Sequence, residues 1–524
     1  MKIPDTVLRI LLFAAALLLY ASQCFPQTSS EPPDDVAAQA SKFATLLGAI
    51  EEHYVEPVDP DHAIFDGGIR GMLSALDPFC AFLDRDQFEL LKQQARGEAL
   101  GFGSILYVSP GKAVILQTTE GSPSARAGLG PGDDIVEING QRVSRLDFES
   151  LIDLLKNSRS HPVRLGVIHP GRVVAQDFDL NPAEVALPSV DKAFLWSPGV
   201  AYLHVSSFEA KTPQEIAGAL DRLDAPRLKG LLLDLRDNHG GMVDAAVGAA
   251  SLFLQPDALV LTTYGRAMPE KVYRTSPPSH RYDLPIVVLV NSNTASAAEV
   301  LAAALQEHDR ALIAGEPTYG KGVVQSVMEL SEQTGLALTA GQYFTPSGRS
   351  IQRPLPGTGL TFASLDQPAL PKGKTAKDAS PGATAARAFH TDDGRPVTSG
   401  GGITPDVAIP GLTLDPWLTF LNQRGYLTGF AEEYLSTHGE VAESFEPPPD
   451  MLADFRAGLE RNHVRVPEEY WSVDQDYLKL RLKVELTNLV FGLTRGDELE
   501  TKGDPQAQQA ASLFPRIAQL LKRH

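Results

Sequence analysis

The apolar positions divide the chain into stretches of different period. After Lys2 and Arg9, an apolar run from Ile10 to Ala21 is as long as the core of an export signal. It is shorter than the ~20 residues a spanning helix requires. Small residues Ala21 and Ser22 follow, so residues 1–27 read as a signal peptide, and the Ser-, Pro- and Asp-rich residues 25–35 as a flexible leader. From 36 to 97 the period is helical, through Phe43, Leu46, Leu47 and Ile50 and again through Phe88, Leu90 and Leu91, with Pro57 and Pro60 breaking the first helix. Residues 98–182 switch to short β-rich runs, such as Ser104–Val108 and Ala113–Leu116, around one helical stretch, Asp147–Lys156. That pattern predicts a small β-barrel with helices.

Residues 190–355 alternate strand and helix. The predicted strands are Val200–Val205, Gly230–Leu235, Ile286–Val290, Ala311–Ala314, Val323–Val327 and Leu336–Tyr343. The predicted helices are Thr212–Leu223, Met242–Leu254 and Ser296–Leu305. Such alternation implies a layered α/β core. Residues 356–400, rich in Pro, Gly, Thr and Lys, read as a variable loop or insertion. Residues 401–524 hold the end of the core and a mostly helical tail, interrupted at Pro447–Pro449. The chain is thus a multidomain α/β protein, in keeping with 524 residues at ~150 per domain.

Composition narrows the chemistry. A net charge of -19 argues against nucleic acid, because phosphate binding needs clustered Lys and Arg. Two cysteines, Cys24 and Cys80, exclude a disulfide scaffold and a Cys-rich metal site. The 12 histidines show no ligand spacing, so neither metal nor cofactor is expected. Cys24 sits in Ala21-Ser22-Gln23-Cys24, where the large Gln23 fits a lipoprotein site poorly. An uncleaved apolar segment would instead attach the protein to a membrane.

Three segments carry candidate chemistry. Leu284–Asn291 is an apolar strand, and the small residues Ser292–Glu299 lead into an Ala-rich helix. Ser296 at that junction lies near N–H groups without intrahelical partners, which with the helix dipole stabilise an oxyanion. By itself it is weak, since a serine at a helix start is usually a cap. Gly315–Lys321 resembles a phosphate-binding loop, but Gly322 stands where Ser or Thr should bind magnesium. The Val323–Val327 run that follows favours a strand where such a loop needs a helix. In the third segment the apolar run Gly230–Leu235 leads into Gly240–Gly241, a turn able to aim N–H groups at a ligand.

Taken in order, these segments resemble the C-terminal processing (tail-specific) serine peptidases. The residues that carry the likeness are Asn293-Thr-Ala-Ser296-Ala-Ala-Glu299, Lys321 placed 25 residues after Ser296, Gln325 four further on, Thr345–Ile351 and Gly402–Asp406. The resemblance covers residues 36 to 410. Ala298 and His239 depart from it, standing where the family often has serine and proline. It implies a ClpP/crotonase-like core in which Ser296 is the nucleophile, Lys321 the general base and Gln325 its orienting group. The N–H groups of Ala297, Gly240 and Gly241 would form the oxyanion hole. A lysine with a pKa of about 10.4 is almost wholly charged at neutral pH, so this chemistry demands a site dry enough to neutralise it. A histidine base, His239 or His308, is the competing mechanism, but no G-x-S-x-G elbow accompanies it.

Residues 121–143 resemble a PDZ domain, through Ser122-Pro123, Ala127-Gly128-Leu129, Pro131-Gly132-Asp133 and the Asn139-Gly140 hairpin turn. The resemblance implies that a substrate tail adds as a strand, its carboxylate held by the Gly101-Phe102-Gly103-Ser104 loop and its groove reaching the helix near Phe148. The expected partners are therefore protein substrates, bound by their C-termini. A homodimer through the terminal helical regions accords with the resemblance. The reading as a whole is an exported serine endopeptidase of the periplasm or cell envelope, against a catalytically silent PDZ scaffold.

Overall fold

The computed structural model describes residues 34–517 and 519, apart from 279, 331–332, 356–387 and 440. The apolar run Ile10–Ala21, Cys24 and most of the expected insertion lie outside the described residues. Among those described, no helix is long and apolar enough to cross a membrane.

The core is built on a six-stranded sheet in the order Val190–Ser197, Val200–Val205, Gly230–Asp234, Ile286–Val290, Leu312–Gly315, Val407–Ala408. Its first pair is antiparallel and the rest are parallel. Parallel strands covered on both faces read as unbroken apolar runs. Ile286–Val290 is such a run, and each of its residues is buried. One face packs on helices Thr212–Arg222, Val243–Ser251 and Ala297–Glu307. The other is covered by Ala507, Ala510, Leu513 and Ile517 from the end of the chain.

A second sheet packs through Val260, Leu261, Val324 and Tyr343 into the apolar cluster that those three helices form. Strand Gly335–Phe344 pairs with Val323–Glu329, Leu259–Tyr264 and Ala81–Leu83. The last of these corrects the wholly helical reading of 36–97. Helices Asp34–His53 and Arg85–Arg96 are present, but between them Ala81–Leu83 is a strand, because its pairing partner lies more than 250 residues away in Gly335–Ala337. A three-residue strand has no period of its own to read.

Residues 104–180 form a six-stranded antiparallel sheet around Ala113, Ile115, Ile135, Ile138, Leu151 and Val167, with helix Phe148–Ser158 against it. This unit is joined to the core by the paired strands Glu98–Gly101 and Ala183–Ala186. It docks on the C-terminal helices: Leu116 packs into their apolar cluster, and Lys112 Nζ lies 2.8 Å from Glu432.

Candidate active site

Ser296 stands between strand Ile286–Val290 and helix Ala297–Glu307, with φ 55° and ψ -119°. A non-glycine residue held there costs about 1–3 kcal/mol and persists only where the surroundings enforce it. Here they do. Its N–H donates to Glu299 Oε2 at 2.9 Å, and its carbonyl accepts from Tyr343 Oη at 3.2 Å.

The same two side chains hold the loop that carries Lys321. Glu299 Oε2 also accepts the N–H of Lys321 at 2.9 Å, and Oε1 accepts the N–H of Gly320 at 2.8 Å and the hydroxyl of Thr318. The single hydroxyl hydrogen of Tyr343 is shared between the Ser296 carbonyl and the carbonyl of Lys321. Glu299 is fully buried, and burial pushes its carboxyl up against the pull of those donors. The backbones of Ser296 and Lys321 are therefore brought together by one carboxylate and one phenol, neither of which was given a role from the sequence. The signal for Glu299 was its place three residues after a candidate N-cap serine. Tyr343 gave none, since an aromatic residue in a strand is ordinary.

Lys321 is 2% exposed, and its Nζ donates to Gln325 Oε1 at 2.8 Å. Burial pulls its pKa down to about 7, while the charges of Asp77 and Glu299 pull the other way. Gln325 lies at an irregularity in strand Val323–Glu329, where the register shifts after Val324. Such bulges re-aim a side chain.

The turn after strand Gly230–Asp234 comes up against the serine. Gly240 and Gly241 have φ of 102° and 142°. A Cβ on Gly240 would stand 2.8 Å from Ser296 Cβ, and one on Gly241 2.1 Å from the Phe208 carbonyl. Asn238, wholly buried, fixes this turn. Its Nδ2 donates to Val205, its carbonyl accepts from Ala295, and its Oδ1 takes the N–H of Gly240 at 2.8 Å. That last bond is a correction: the Gly240 N–H, expected to face an oxyanion, is already committed. Among the described residues, no acceptor is bound by the N–H of Gly241 or Ala297.

The histidines stand otherwise. His308 closes the far end of the helix that Ser296 begins, with its ring nitrogens at 2.7 Å from Asp392 and 2.7 Å from the Leu259 carbonyl. His239 stays half-buried in the turn beside Gly240. Among the described residues, no group of His, Cys, Asp and Glu could hold a metal ion.

In the antiparallel unit, strand Ser104–Ser109 is an edge, paired on one side with Lys112–Thr118. Helix Phe148–Ser158 crosses beside it, with Phe148 and Ile105 both exposed. The loop before this edge is clamped by its carbonyls. Phe102 accepts from Ser124 N at 3.0 Å and Gly103 from Thr119 N at 2.8 Å, and Ser104 Oγ donates to Ser124 Oγ at 2.7 Å. Gly103 is required there: a Cβ would meet Ser122 Cβ at 2.3 Å.

Comparison with known proteins matches both halves. The profile of Peptidase family S41 covers residues 199–359, and that of the PDZ domain covers 114–168. The carboxyl-terminal-processing protease of Synechocystis sp. is 34% identical over 334 residues, which is 60% of this chain and 77% of that protein. The chain belongs to this S41 family. It is accordingly a serine-type peptidase of the C-terminal processing kind, with a PDZ domain. The carboxy-terminal processing protease CtpA of Bacillus subtilis is 29% identical over 362 residues, 67% of this chain and 75% of that one. Among solved structures, a photosystem II D1 C-terminal processing protease is 29% identical, covering 60% of this chain and 90% of its own, at a TM-score of 0.35.

Proposed function

We propose that this S41 peptidase cleaves with a Ser296–Lys321 pair and selects substrates by their C-terminal tails through the PDZ domain. The observation that carries the reading is a buried lysine amine held by Gln325 Oε1, on a loop whose backbone shares Glu299 and Tyr343 with the strained Ser296. A neutral amine there takes the Ser296 proton as the hydroxyl attacks a peptide carbonyl, and later gives it to the leaving amine. The N–H groups of Ala297 and Gly241, rather than Gly240, stabilise the oxyanion.

The edge strand Ser104–Ser109 receives the substrate tail as an added strand, with the Gly101–Ser104 loop at its carboxylate and Phe148 lining the groove. Closure of that PDZ sheet as a barrel, and a ClpP/crotonase-like layering of the core, belong to the same reading. So do the division at 98–182 and 190–355, export to the periplasm or envelope by residues 1–27, and membrane attachment if that segment is retained. A homodimer is supported by the apolar Phe43, Leu46 and Ile50 exposed on helix Asp34–His53.

The test is cleavage of an unstructured polypeptide with a free C-terminus by the wild type, Ser296→Ala and Lys321→Ala. Loss of cleavage in both variants is expected. Equal cleavage by all three would leave the catalytic pair without support, and a wild type that cleaves nothing would favour the silent PDZ scaffold.

A further inference from the structure

The amine of Lys321 is enclosed partly by residues from a distant part of the chain. Its Nζ lies 4.8 Å from the centroid of the Phe79 ring, and Phe79 is itself buried. The Phe79 carbonyl accepts from Gln325 Nε2. We propose that Phe79 is a positioning residue for the lysine base: its carbonyl orients Gln325, and its ring seals the amine from water. This rests on the Ser296–Lys321 reading above.

The first half follows from the chemistry of an amide. Gln325 presents an acceptor at one end and a donor at the other, and the two ends are nearly the same shape. Rotated by half a turn, it would point its NH2 at Nζ. A carbonyl at the far end accepts but cannot donate, so Phe79 fixes Nε2 there and leaves Oε1 for the lysine at 2.8 Å. A neutral amine that donates one N–H to Oε1 keeps its lone pair for the serine proton.

The second half is a competition of two effects. A ring face attracts a cation, by about 0.5–2 kcal/mol. Exclusion of water disfavours the cation by more, up to ~3–5 pKa units at a fully buried site. Desolvation therefore wins, in accord with the depressed pKa of this amine.

The turn is built to hold Phe79 in place. Asp77, 1% exposed, accepts the N–H of Phe79 at 2.8 Å and of Cys80 at 3.1 Å on one oxygen. The next residues, Ala81–Leu83, pair with Gly335–Ala337, and that strand pairs with the one bearing Gln325. Thr339 N–H donates to Cys80 Sγ at 3.4 Å.

The titratable groups around the amine are Asp77 and Cys80 on this turn, Glu299 on the serine's helix and Tyr343 on the neighbouring strand. Burial holds the Cys80 thiol and the Tyr343 phenol up, hence neutral. The guanidinium of Arg353 is bound to the Thr318 carbonyl. The charges that act on Lys321 are those of Asp77 and Glu299, and both favour its protonated form.

The test is the pH profile of kcat/KM for the full chain on a peptide with a free C-terminus. Phe79→Ala admits water and should move the acid limb up by about one unit, an about fivefold loss at pH 7 that is recovered at about pH 9. Phe79→Leu keeps the site dry and should leave the limb in place or slightly lower. Asp77→Asn keeps the acceptor oxygen, removes the charge and should move the limb down. A uniform loss in Phe79→Ala at every pH, with the limb unmoved, would mean the ring only fills space, and the proposal fails. If Phe79→Ala does not fold by circular dichroism, Phe79→Val, which removes the ring and less of its volume, decides: the limb should move up, and an unmoved limb overturns the proposal. Ser296→Ala and Lys321→Ala run in parallel. If Lys321→Ala cleaves like the wild type, the Ser–Lys reading itself has failed, whatever Phe79 does.

Discussion

Lys321 Nζ donates to Gln325 Oε1 over 2.8 Å, inside a site from which water is excluded. That contact holds the amine without supplying the charge that would keep it protonated. With the pKa at about 7, roughly half the amine is free base at neutral pH, about a thousandfold more than for an ordinary lysine. The proposed base must be neutral to act, so activity should rise with pH through about 7 and then level off. A kcat/KM profile measures this, and one flat from about pH 5 to 9 would count against a lysine base.

The same depression carries a stability consequence. The folded pKa lies below the unfolded one, so the unfolded chain binds more protons between about 7 and 10.5. Stability therefore rises with pH across that window. Lys321→Met, of similar length and without the charge, should abolish activity and raise the melting temperature at neutral pH. Calorimetry at two pH values checks both the sign and the window.

Glu299 accepts from four donors, those of Ser296, Thr318, Gly320 and Lys321. In Glu299→Gln one oxygen becomes an NH2 facing donors. Each buried donor left unsatisfied costs about 1–3 kcal/mol. Both a lower melting temperature and an activity loss of at least about tenfold are expected, from thermal unfolding and initial rates on one preparation.

Gly241→Ala should be nearly inactive, because its Cβ would lie 2.1 Å from the Phe208 carbonyl and displace the turn. If its N–H is the oxyanion donor proposed above, the loss is about 10²–10³ in kcat. The expected signature is a fall in kcat with little change in KM.

Substitution in the proposed peptide groove should act on KM instead. Phe148→Ser and Ile105→Asp alter exposed positions beside the edge strand and leave the core intact. Weaker binding of peptides with a free carboxylate is expected, with kcat preserved at saturation. Amidating the peptide should mimic the effect in the wild type and add little in the variants.

Arg349 is fully buried, with Nε 2.6 Å from Glu307 and its other nitrogens on Thr398 and Gln306. Removing one partner of such a pair strands a charge, at a cost of about 3–5 kcal/mol. Arg349→Met should therefore destabilise the chain strongly, as read by denaturant unfolding. This accounts for the Thr345–Ile351 landmark as a structural brace rather than as chemistry.

Local pattern was enough for much of the core. Val200–Val205 and Ile286–Val290 have the bounds expected of them, because buried parallel strands are continuous apolar runs ended by turn residues. The motifs around Ser296, Lys321 and Gln325, and the spacing between them, were also legible, since their order along the chain carries the resemblance. Ala81–Leu83, Glu299's four bonds and the Tyr343 bridge were not. Each depends on a partner distant in sequence, and a short strand or a lone aromatic residue has no period that would announce it. The N–H of Gly240 could not be assigned either, because its direction is set by Asn238 and the Phe208 segment. The sequence alone thus determined which residue types stand ready for the chemistry. Tertiary packing decided which amine is kept dry and which N–H groups stay uncommitted, because burial and hydrogen-bond direction arise only where distant segments meet.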